Sequence, residues 1–453
     1  MELNGKRVLL VGMARSGIAA AELLQKHGAL AVLNDRKTEA DFGGELDGLK
    51  AIGCEFRLGE DPVALLDEVD ALVISPGVPV TAPVVLKAKE KNMPLAGELE
   101  LAASLLSGAY VAISGTNGKT TTTTLTGRIF EHAGKVTHVA GNIGYPLSAV
   151  AMVESKNDLT AIEVSSFQLE TIDTFHPRVA ALLNITEDHL NRHGTMAEYI
   201  RLKKRIFENQ TADDVAVLNM DDAELMRMVP DLKAKIALFS RTQQVENGAC
   251  VEDGKIVWKW NGECSVICDA DQLLIPGPHN LENALAAVAI ACAMHIPVEV
   301  IREALLSFAG VEHRIEKVRV FEGVTYINDS KGTNVDSTIK AVQSMKAPTV
   351  ILLGGYDKHT DFMPLCREIV DSAYIAHAVV LGATAQQIRT QLTEAGYTAI
   401  TSADSLQDAV DKARALSAEG GNVLLSPACA SFDMFRDFEH RGEVFKEIVN
   451  HLQ

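Results

Sequence analysis

The chain has 453 residues, of which 47% are hydrophobic and 23% charged, as is typical of a globular protein with full cores. Its 42 Lys and Arg residues against 60 Asp and Glu residues give a net charge of −18, which disfavours nucleic acid as a partner. Segment 284–294, the most apolar, is far shorter than the roughly 20 residues that cross a membrane. We therefore expect no membrane partner.

The first eleven residues and the cysteines indicate a cellular compartment. Residues 1–11 lack the charged and then apolar pattern of a secretory signal. The seven cysteines form neither a Cys-x-x-Cys pair nor a zinc-binding spacing. This pattern predicts a cytoplasmic protein with reduced thiols.

The first segment alternates predicted strands and helices. Strands are expected over 7–12, 30–34 and 71–75, with a helix over 16–27, which indicates a parallel sheet of the Rossmann-like kind. The turn Gly12–Gly17 has Ala14 where a dinucleotide-binding fingerprint has its middle glycine. This departure disfavours a redox cofactor, and a phosphate-bearing ligand at the same helix start stays open.

Two further α/β segments follow, so the length of about three times 150 residues predicts three domains. The predicted elements are strands at 110–114, 136–140, 159–163, 179–184 and 215–219, a small antiparallel insert over 235–274, a helix over 280–294, and strands at 325–328, 349–353, 378–381 and 423–426. The predicted fold class is α/β, with a Rossmann-like N-terminal domain (1–97), a central P-loop ATPase-like domain with a parallel sheet (98–308) and a Rossmann-like C-terminal domain (309–453).

The most informative motif is Gly-Thr-Asn-Gly-Lys-Thr-Thr at 115–121, between the strand at 110–114 and a predicted helix. Such a turn offers backbone N–H groups, a lysine and a hydroxyl, which together hold polyphosphate and Mg²⁺. The loop is shorter than the usual phosphate loop, because fewer residues separate its first glycine, Gly115, from Lys119. The alternative, a glycine turn with a surface lysine, fits the strand and helix context less well.

Polar residues follow other predicted strands, where ligands of parallel sheets bind. Glu163 ends one strand and His189 follows another, and with Thr120 they offer a carboxylate, an imidazole and a hydroxyl suited to Mg²⁺ or Mn²⁺. Taken singly, Glu163 could be a helix cap and His189 a core histidine. In the third domain, segments 328–334 and 426–431 are similar clusters, and Arg314, Lys331 and Lys358 could neutralise phosphate or carboxylate groups.

Several motifs in this order resemble the Mur ligase family, the ATP-dependent amide-forming enzymes of cell-wall precursor synthesis. They are segments 115–121, 163–170, 184–189, 279–283, 313–316 and 328–331, and segments 141–144, 165–170 and 426–432 look most like the D-glutamate-adding branch. The resemblance covers the whole chain. It implies that ATP phosphorylates the terminal carboxylate of UDP-N-acetylmuramoyl-L-alanine and that the amine of D-glutamate attacks the resulting acyl phosphate. It also implies a monomer.

The resemblance also implies roles for individual residues. Lys119, Glu163, His189 and Lys203 would be catalytic, and Lys203, matched through its spacing to Tyr199, would bind metal as a carbamate. The implied positions are Gly115, Thr116, Asn117, Gly118, Lys119, Thr120, Thr121, Asn283, Arg314 and Asp329 for ATP; Thr120, Glu163, His189 and Lys203 for two Mg²⁺ ions; Ser16, Asp35, Arg36, Ser75 and Gly77 for the UDP end; Asn142 for the muramoyl portion; Thr333, Lys358, Ser431 and Phe438 for the D-glutamate end; and Lys331 for substrate.

Other functions stay open at this point. A sibling ligase could add another amino acid, and a folate polyglutamate synthase would share the middle and last domains but lack a first domain of this type. A nucleotide-switched binding protein without ligase activity would hydrolyse ATP slowly and without regard to amino acids.

Overall fold

The computed structural model describes residues 2–42, 46–356 and 360–453. It divides into two compact units, one comprising Met1–Gln272 with Glu282–Ser307 and the other Leu273–Leu281 with Phe308–Gln453. Each is described separately. Within the described ranges, no helix is long and apolar enough to span a lipid bilayer.

The first unit begins with a parallel sheet of order β3-β2-β1-β4-β5. Its elements are β1 (Arg7–Val11), α1 (Arg15–Lys26), β2 (Leu30–Asn34), α2 (Asp47–Ala51), β3 (Glu55–Phe56), β4 (Ala71–Ile74), α3 (Pro83–Glu90), β5 (Leu95–Gly97) and α4 (Glu98–Ala103). Along β1, Val8 and Leu10 pack into one hydrophobic cluster, and Leu9 and Val11 pack into another. Because both faces are covered, the strand is a continuous apolar run rather than an alternating one.

The same unit contains a larger sheet of order β14-β13-β12-β11-β10-β9-β6-β8-β7. Its elements are β6 (Ala109–Ser114), α5 (Lys119–His132), β7 (Thr137–Gly141), α6 (Leu147–Ala151), β8 (Leu159–Glu163), α7 (Ser166–Leu169), β9 (Val179–Leu182), α8 (Leu190–His193), α9 (Met196–Lys204), β10 (Val215–Asn219), α10 (Ala223–Met228), β11 (Lys235–Ser240), β12 (Gly248–Glu252), β13 (Lys255–Trp260), β14 (Glu263–Asp269), α11 (Pro278–Ala293) and α12 (Val298–Ser307). The carboxyl ends of β6, β8 and β9 are adjacent, because these parallel strands are neighbours.

The segment 235–274 matches only in part the small antiparallel insert that its short alternating pattern predicts. β11 pairs in parallel with β10, and β12 in parallel with β11, so the segment extends the large sheet. Only the pairs β12–β13 and β13–β14 are antiparallel. Alternation along a strand shows that one face is exposed, but it does not show which sheet the strand joins.

Two buried carboxylates on α4 join the first sheet to the larger one. Glu98 accepts a hydrogen bond from the Ser148 backbone N–H at 2.7 Å. Glu100 accepts from the backbone N–H groups of residues 173, 174 and 175 at 2.9, 2.8 and 3.1 Å. Hydrogen bonds to a charged acceptor are among the stronger ones in proteins. One hydrophobic cluster also runs through both parts, from Leu10 to Tyr199.

The second unit is built on a sheet of order β15-β16-β20-β17-β18-β19, parallel except for the edge pair β15–β16. Its elements are β15 (Glu316–Phe321), β16 (Val324–Asn328), α13 (Val335–Ser344), β17 (Thr349–Leu353), α14 (Met363–Asp371), β18 (Ile375–Val380), α15 (Ala385–Glu394), β19 (Ile400–Ser402), α16 (Leu406–Leu416), β20 (Asn422–Leu425) and α17 (Phe438–Asn450). Clusters of buried apolar side chains cover both of its faces. The predicted α/β class with parallel sheets is therefore confirmed.

Candidate active site

The turn 115–121 joins β6 to α5, as predicted, and its geometry requires glycine. Gly118 caps α5 with φ 82°, a left-handed conformation. A Cβ atom at this position would lie 2.2 Å from the Asn283 side-chain oxygen. The Asn117 backbone N–H donates to the Asn184 side chain at 2.8 Å, which holds the turn from the end of β9. The turn therefore leads directly into the N-terminus of a 14-residue helix, a favourable position for phosphate.

Two lysines meet at this turn. The Lys119 ammonium donates to the Gly115 carbonyl at 2.8 Å and to the Thr116 carbonyl at 2.7 Å. The Lys203 ammonium donates to the same Gly115 carbonyl at 2.7 Å. Two cations that share one acceptor repel each other, so the site favours a bound anion or the loss of one charge.

The surroundings of Lys203 perturb it strongly. Its side chain is only 1% exposed and lies 4.8 Å from the centre of the Tyr199 ring. Burial first, and the neighbouring Lys119 ammonium second, hold the pKa of Lys203 well below its ordinary value. A lysine with a lowered pKa presents a larger fraction of neutral amine, which is the nucleophilic form.

Glu163, at the carboxyl end of β8, faces the first turn of α5. Its buried carboxylate accepts from the Thr120 hydroxyl at 2.9 Å and from the Asn142 side-chain amide at 2.7 Å. Thr120 and Glu163 are therefore adjacent, as the metal hypothesis requires. Asn142, which the resemblance assigns to the muramoyl portion, is held at the same carboxylate.

His189 follows β9 and begins α8 in a left-handed conformation, with φ 55°. Its ring packs edge-on against Phe167, with ring centres 4.9 Å apart. Among the residues that the structure describes, no three His, Cys, Asp or Glu side chains gather as a metal site. Mg²⁺ is commonly held by one or two carboxylates together with substrate phosphates. The donors at the phosphate turn, the Thr120 hydroxyl and the buried Glu163 carboxylate, fit an ion that arrives with a nucleotide.

In the second unit, Asp329 follows β16 and is buried. Its carboxylate accepts from the Ser426 hydroxyl at 2.6 Å and from the Ile315 backbone N–H at 3.2 Å. Burial raises the pKa of Asp329 to about 6, although Arg314 and these hydrogen bonds act in the opposite direction. The Nε atom of Arg314 is buried without a hydrogen-bond partner. Burial, followed by the charges of Arg314 and Lys340, lowers the pKa of His279 to about 3.

The shifted pKa of Asp329 predicts a pH-dependent stability. Its carboxyl keeps its proton up to about pH 6 when folded but only to 3.8 when unfolded, so the free energy of unfolding should fall as the pH rises from 4 to 6. The total loss should be about 3 kcal/mol. Asp329→Asn should remove this dependence in urea unfolding between pH 4.5 and 7.5. The exposed Asp371→Asn is the control, and equal slopes for both variants would contradict the assignment.

Further predicted positions of the second unit surround the start of α17. The Lys331 ammonium lies 3.8 Å from the centre of the Phe438 ring, and the Ser330 hydroxyl donates to the Phe438 carbonyl at 2.8 Å. Ser431 is buried, and the Thr333 backbone N–H donates to the Lys331 carbonyl at 2.8 Å. Lys358 lies outside the described residues.

The predicted UDP positions lie at the carboxyl ends of β1, β2 and β4. The Asp35 carboxylate accepts from the Met13 backbone N–H at 2.7 Å, and the Ser75 hydroxyl donates to the Gly12 carbonyl at 2.8 Å. Ser16 is half-buried in the first turn of α1, and Arg36 and Gly77 are exposed. Asp35 and Ser75 are thus held at the glycine turn.

Several polar groups that shape these sites were not predicted from the sequence. Arg192 pairs with Glu170, and Arg441, only 3% exposed, donates to the carbonyls of residues 330, 429 and 430 at 2.8, 3.1 and 3.3 Å. Burial lowers the pKa of Arg441 to about 10. Arg441 therefore joins the two predicted clusters 328–334 and 426–431. The only sequence signal was that Arg192 lies three residues after His189.

Three α/β sheets, one with a lysine-bearing glycine turn that leads into a helix beside a buried carboxylate, define an α/β protein with a P-loop-like turn. Comparisons with known proteins identify the particular family. The chain belongs to the Mur ligases, since residues 6–97 match the Mur ligase MurD-like N-terminal domain, 113–291 the Mur ligase middle domain and 313–429 the Mur ligase glutamate ligase domain. The resemblance predicted from the motifs is confirmed.

Curated relatives match over their full length. The UDP-N-acetylmuramoylalanine–D-glutamate ligase of Pelotomaculum thermopropionicum is 47% identical over 452 residues, covering 100% of this chain and 99% of the relative. The protein of the same name from Clostridioides difficile is 45% identical over 457 residues, covering 100% of both. The solved structure of MurF ligase from Thermotoga maritima in complex with ADP has a TM-score of 0.61 at 16% identity, covering 93% of this chain and 95% of that one, which shows the shared fold.

Proposed function

We propose that the protein is an ATP-dependent ligase that adds D-glutamate to UDP-N-acetylmuramoyl-L-alanine in peptidoglycan precursor synthesis. The observation that carries the chemistry is the meeting of Lys119, Lys203 and Glu163 at the turn 115–121. The full-length similarity to relatives named as D-glutamate ligases supports the substrates. The match of residues 6–97 to a Mur ligase N-terminal domain disfavours the folate alternative.

The reaction would pass through an acyl phosphate. The carboxylate oxygen of the muramoyl-alanine forms a bond to the γ-phosphorus of ATP, and ADP leaves. The neutral D-glutamate amine then attacks the acyl carbon, the C–N bond forms, the C–O bond to phosphate breaks, and the proton lost by the amine nitrogen passes to the released phosphate or to water. Phosphoryl transfer depends mostly on positioning and on charge neutralisation. Lys119 and the N–H groups of residues 115–121 would supply both, and Asn283 would support the turn and contact the nucleotide.

Bound Mg²⁺ would neutralise phosphate charge, and Mn²⁺ would serve as an alternative. We assign Thr120 and Glu163 to one ion and His189 to a second. Lys203 would contribute as a carbamate, formed when its neutral amine adds CO₂ and releases a proton. The shared Gly115 carbonyl and the burial of Lys203 support this assignment, because a carbamate replaces a positive charge by a negative one beside Lys119.

The remaining assignments follow the family pattern. Arg314 and Asp329 would contact the phosphate and ribose of ATP. We propose Ser16, Asp35, Arg36, Ser75 and Gly77 for the UDP end, Asn142 for the muramoyl portion, Thr333, Lys358, Ser431 and Phe438 for D-glutamate, and Lys331 for substrate. We also propose the domain boundaries 1–97, 98–308 and 309–453, and a monomer that acts in the cytoplasm without nucleic-acid or membrane partners.

Phosphate release tests the proposed reaction. The purified protein is given ATP, Mg²⁺ and each UDP-muramoyl precursor, with D-glutamate, L-alanine, meso-diaminopimelate or L-lysine. Release should depend on D-glutamate together with UDP-N-acetylmuramoyl-L-alanine. Stimulation by another amino acid would favour a sibling ligase, and slow hydrolysis indifferent to amino acids would favour a nucleotide-switched binding protein.

A further inference from the structure

Arg192 connects segments that follow strands of two different sheets. Its guanidinium makes a two-pronged pair with Glu170, from Nε to Oε1 at 3.1 Å and from Nη2 to Oε2 at 2.6 Å. It also donates to the Pro76 carbonyl at 3.1 Å and to the Val78 carbonyl at 3.4 Å. Glu170 ends the segment after β8, whereas residues 76–78 follow β4 of the first sheet.

The same guanidinium supports His189 through an aromatic ring. It lies 4.1 Å from the centre of the Phe167 ring, and that ring packs against His189. The Arg192 backbone N–H also donates to the His189 carbonyl at 3.0 Å. Because His189 has a left-handed backbone and begins a helix of only four residues, its orientation depends on such neighbours.

These contacts use chemistry that lysine lacks. A planar guanidinium can hold a carboxylate with two parallel bonds, stack on an aromatic face and still donate to carbonyls at its edge. With its side chain 17% exposed and that of Glu170 6% exposed, the pair is largely shielded from water. Arg192 therefore fixes the 76–78 turn and Phe167 relative to each other.

We propose that Arg192 is a positioning residue that couples precursor binding at the turn 75–78 to the orientation of His189. The proposal rests on the proposed function, which assigns the UDP end to that turn and a metal ion to His189. A precursor that moves the Pro76 or Val78 carbonyl shifts the guanidinium, and the guanidinium shifts Phe167. Recognition of the precursor thus sets how His189 is oriented toward its proposed metal ion.

Arg205 provides a matched control. Its side chain is 18% exposed, it pairs with Glu208, and it donates to the carbonyls of Leu169 and Ile172 at 2.7 and 2.8 Å. It thus supports the same segment after β8, but its hydrogen bonds do not reach residues 76–78. A purely structural role predicts that Arg192→Lys and Arg205→Lys have the same consequences.

The test compares both lysine variants with the wild type in thermal unfolding, KM for UDP-N-acetylmuramoyl-L-alanine, KM for ATP, and the Mg²⁺ concentration for half-maximal rate. Arg192→Lys should raise the precursor KM and the Mg²⁺ requirement by about tenfold each, with the KM for ATP unchanged. Arg205→Lys should lower the unfolding temperature comparably and leave these constants unchanged. Methylguanidinium should partly restore Arg192→Ala.

Identical kinetics of the two lysine variants, or a precursor KM and Mg²⁺ requirement of Arg192→Lys equal to those of the wild type, would overturn the inference. Failure of Arg192→Ala to respond to methylguanidinium would also count against it. A wild type that shows no D-glutamate-dependent turnover would instead overturn the proposed function. In that case, precursor affinities of the wild type and Arg192→Lys, measured by calorimetry, test the contact with the turn directly, and equal affinities would refute it.

Discussion

Replacing Lys203 by methionine or by alanine should lower kcat by at least about 100-fold, and only the alanine variant should regain activity with added formate or acetate. Both substitutions remove the amine that would carry a carbamate. Methionine fills the space of the lysine side chain, whereas alanine leaves a cavity beside the Gly115 carbonyl into which a small carboxylate can enter. Phosphate release with D-glutamate, measured against formate and acetate concentration, checks this expectation.

Urea unfolding of the Lys203 variants distinguishes a loss of function from a loss of folded protein. A buried ammonium beside a second cation is costly, so Lys203→Met should unfold at equal or higher urea concentration than the wild type. The gain in free energy of unfolding of Lys203→Met should shrink as the pH rises toward 10.5, the ordinary pKa of lysine. Burying Lys203 costs free energy only while the lysine of the unfolded chain is protonated. The adjacent Lys204, half-buried and paired with Asp231 at 2.5 Å, is the control. Wild-type activity in Lys203→Met would refute the assignment.

Much of the fold could be predicted because the central parallel strands are buried on both faces. Strands such as Leu30–Asn34, Leu159–Glu163 and Thr349–Leu353 are short, mostly apolar runs, and the structure has them with the predicted bounds. The phosphate turn was equally visible, since the turn, its lysine and the following helix are contiguous in sequence. Local signals therefore located the turn and the strand-end carboxylate Glu163.

Pairings between distant residues could not be predicted in this way. Arg192 and Glu170 are 22 positions apart, and Arg441 and Ser330 are 111 positions apart. Apart from the position of Arg192 three residues after His189, nothing local distinguishes these arginines from surface cations, because their partners are set by the packing of whole elements. The junction of segment 235–274 with the large sheet could not be predicted for the same reason, since a strand pattern does not specify its neighbour.

Glu163→Gln should lower kcat by at least about 100-fold and raise the Mg²⁺ concentration needed for half-maximal rate. The amide has nearly the shape of the carboxylate but no charge, so its attraction for a divalent ion is lost. The hydrogen bonds from Thr120 and Asn142 point at two carboxylate oxygens, and glutamine can accept at only one of them. Rates measured across Mg²⁺ and Mn²⁺ concentrations, with ATP held constant, check both effects.

Asp214→Asn is the matched control for this carboxylate. Asp214 is also buried, in the same unit, and accepts from the Thr211 backbone N–H at 2.7 Å. It lies just before β10, at the amino-terminal edge of the sheet, whereas Glu163 ends β8 at the carboxyl-terminal edge. Asp214→Asn should lose stability, because hydrogen bonds to the Asp214 carboxylate lower its pKa despite burial, so that the charged form stabilises the fold. The variant should keep the wild-type dependence of the rate on Mg²⁺ concentration. If Glu163→Gln also kept that dependence, Glu163 would be a structural carboxylate and the metal would have to be held elsewhere.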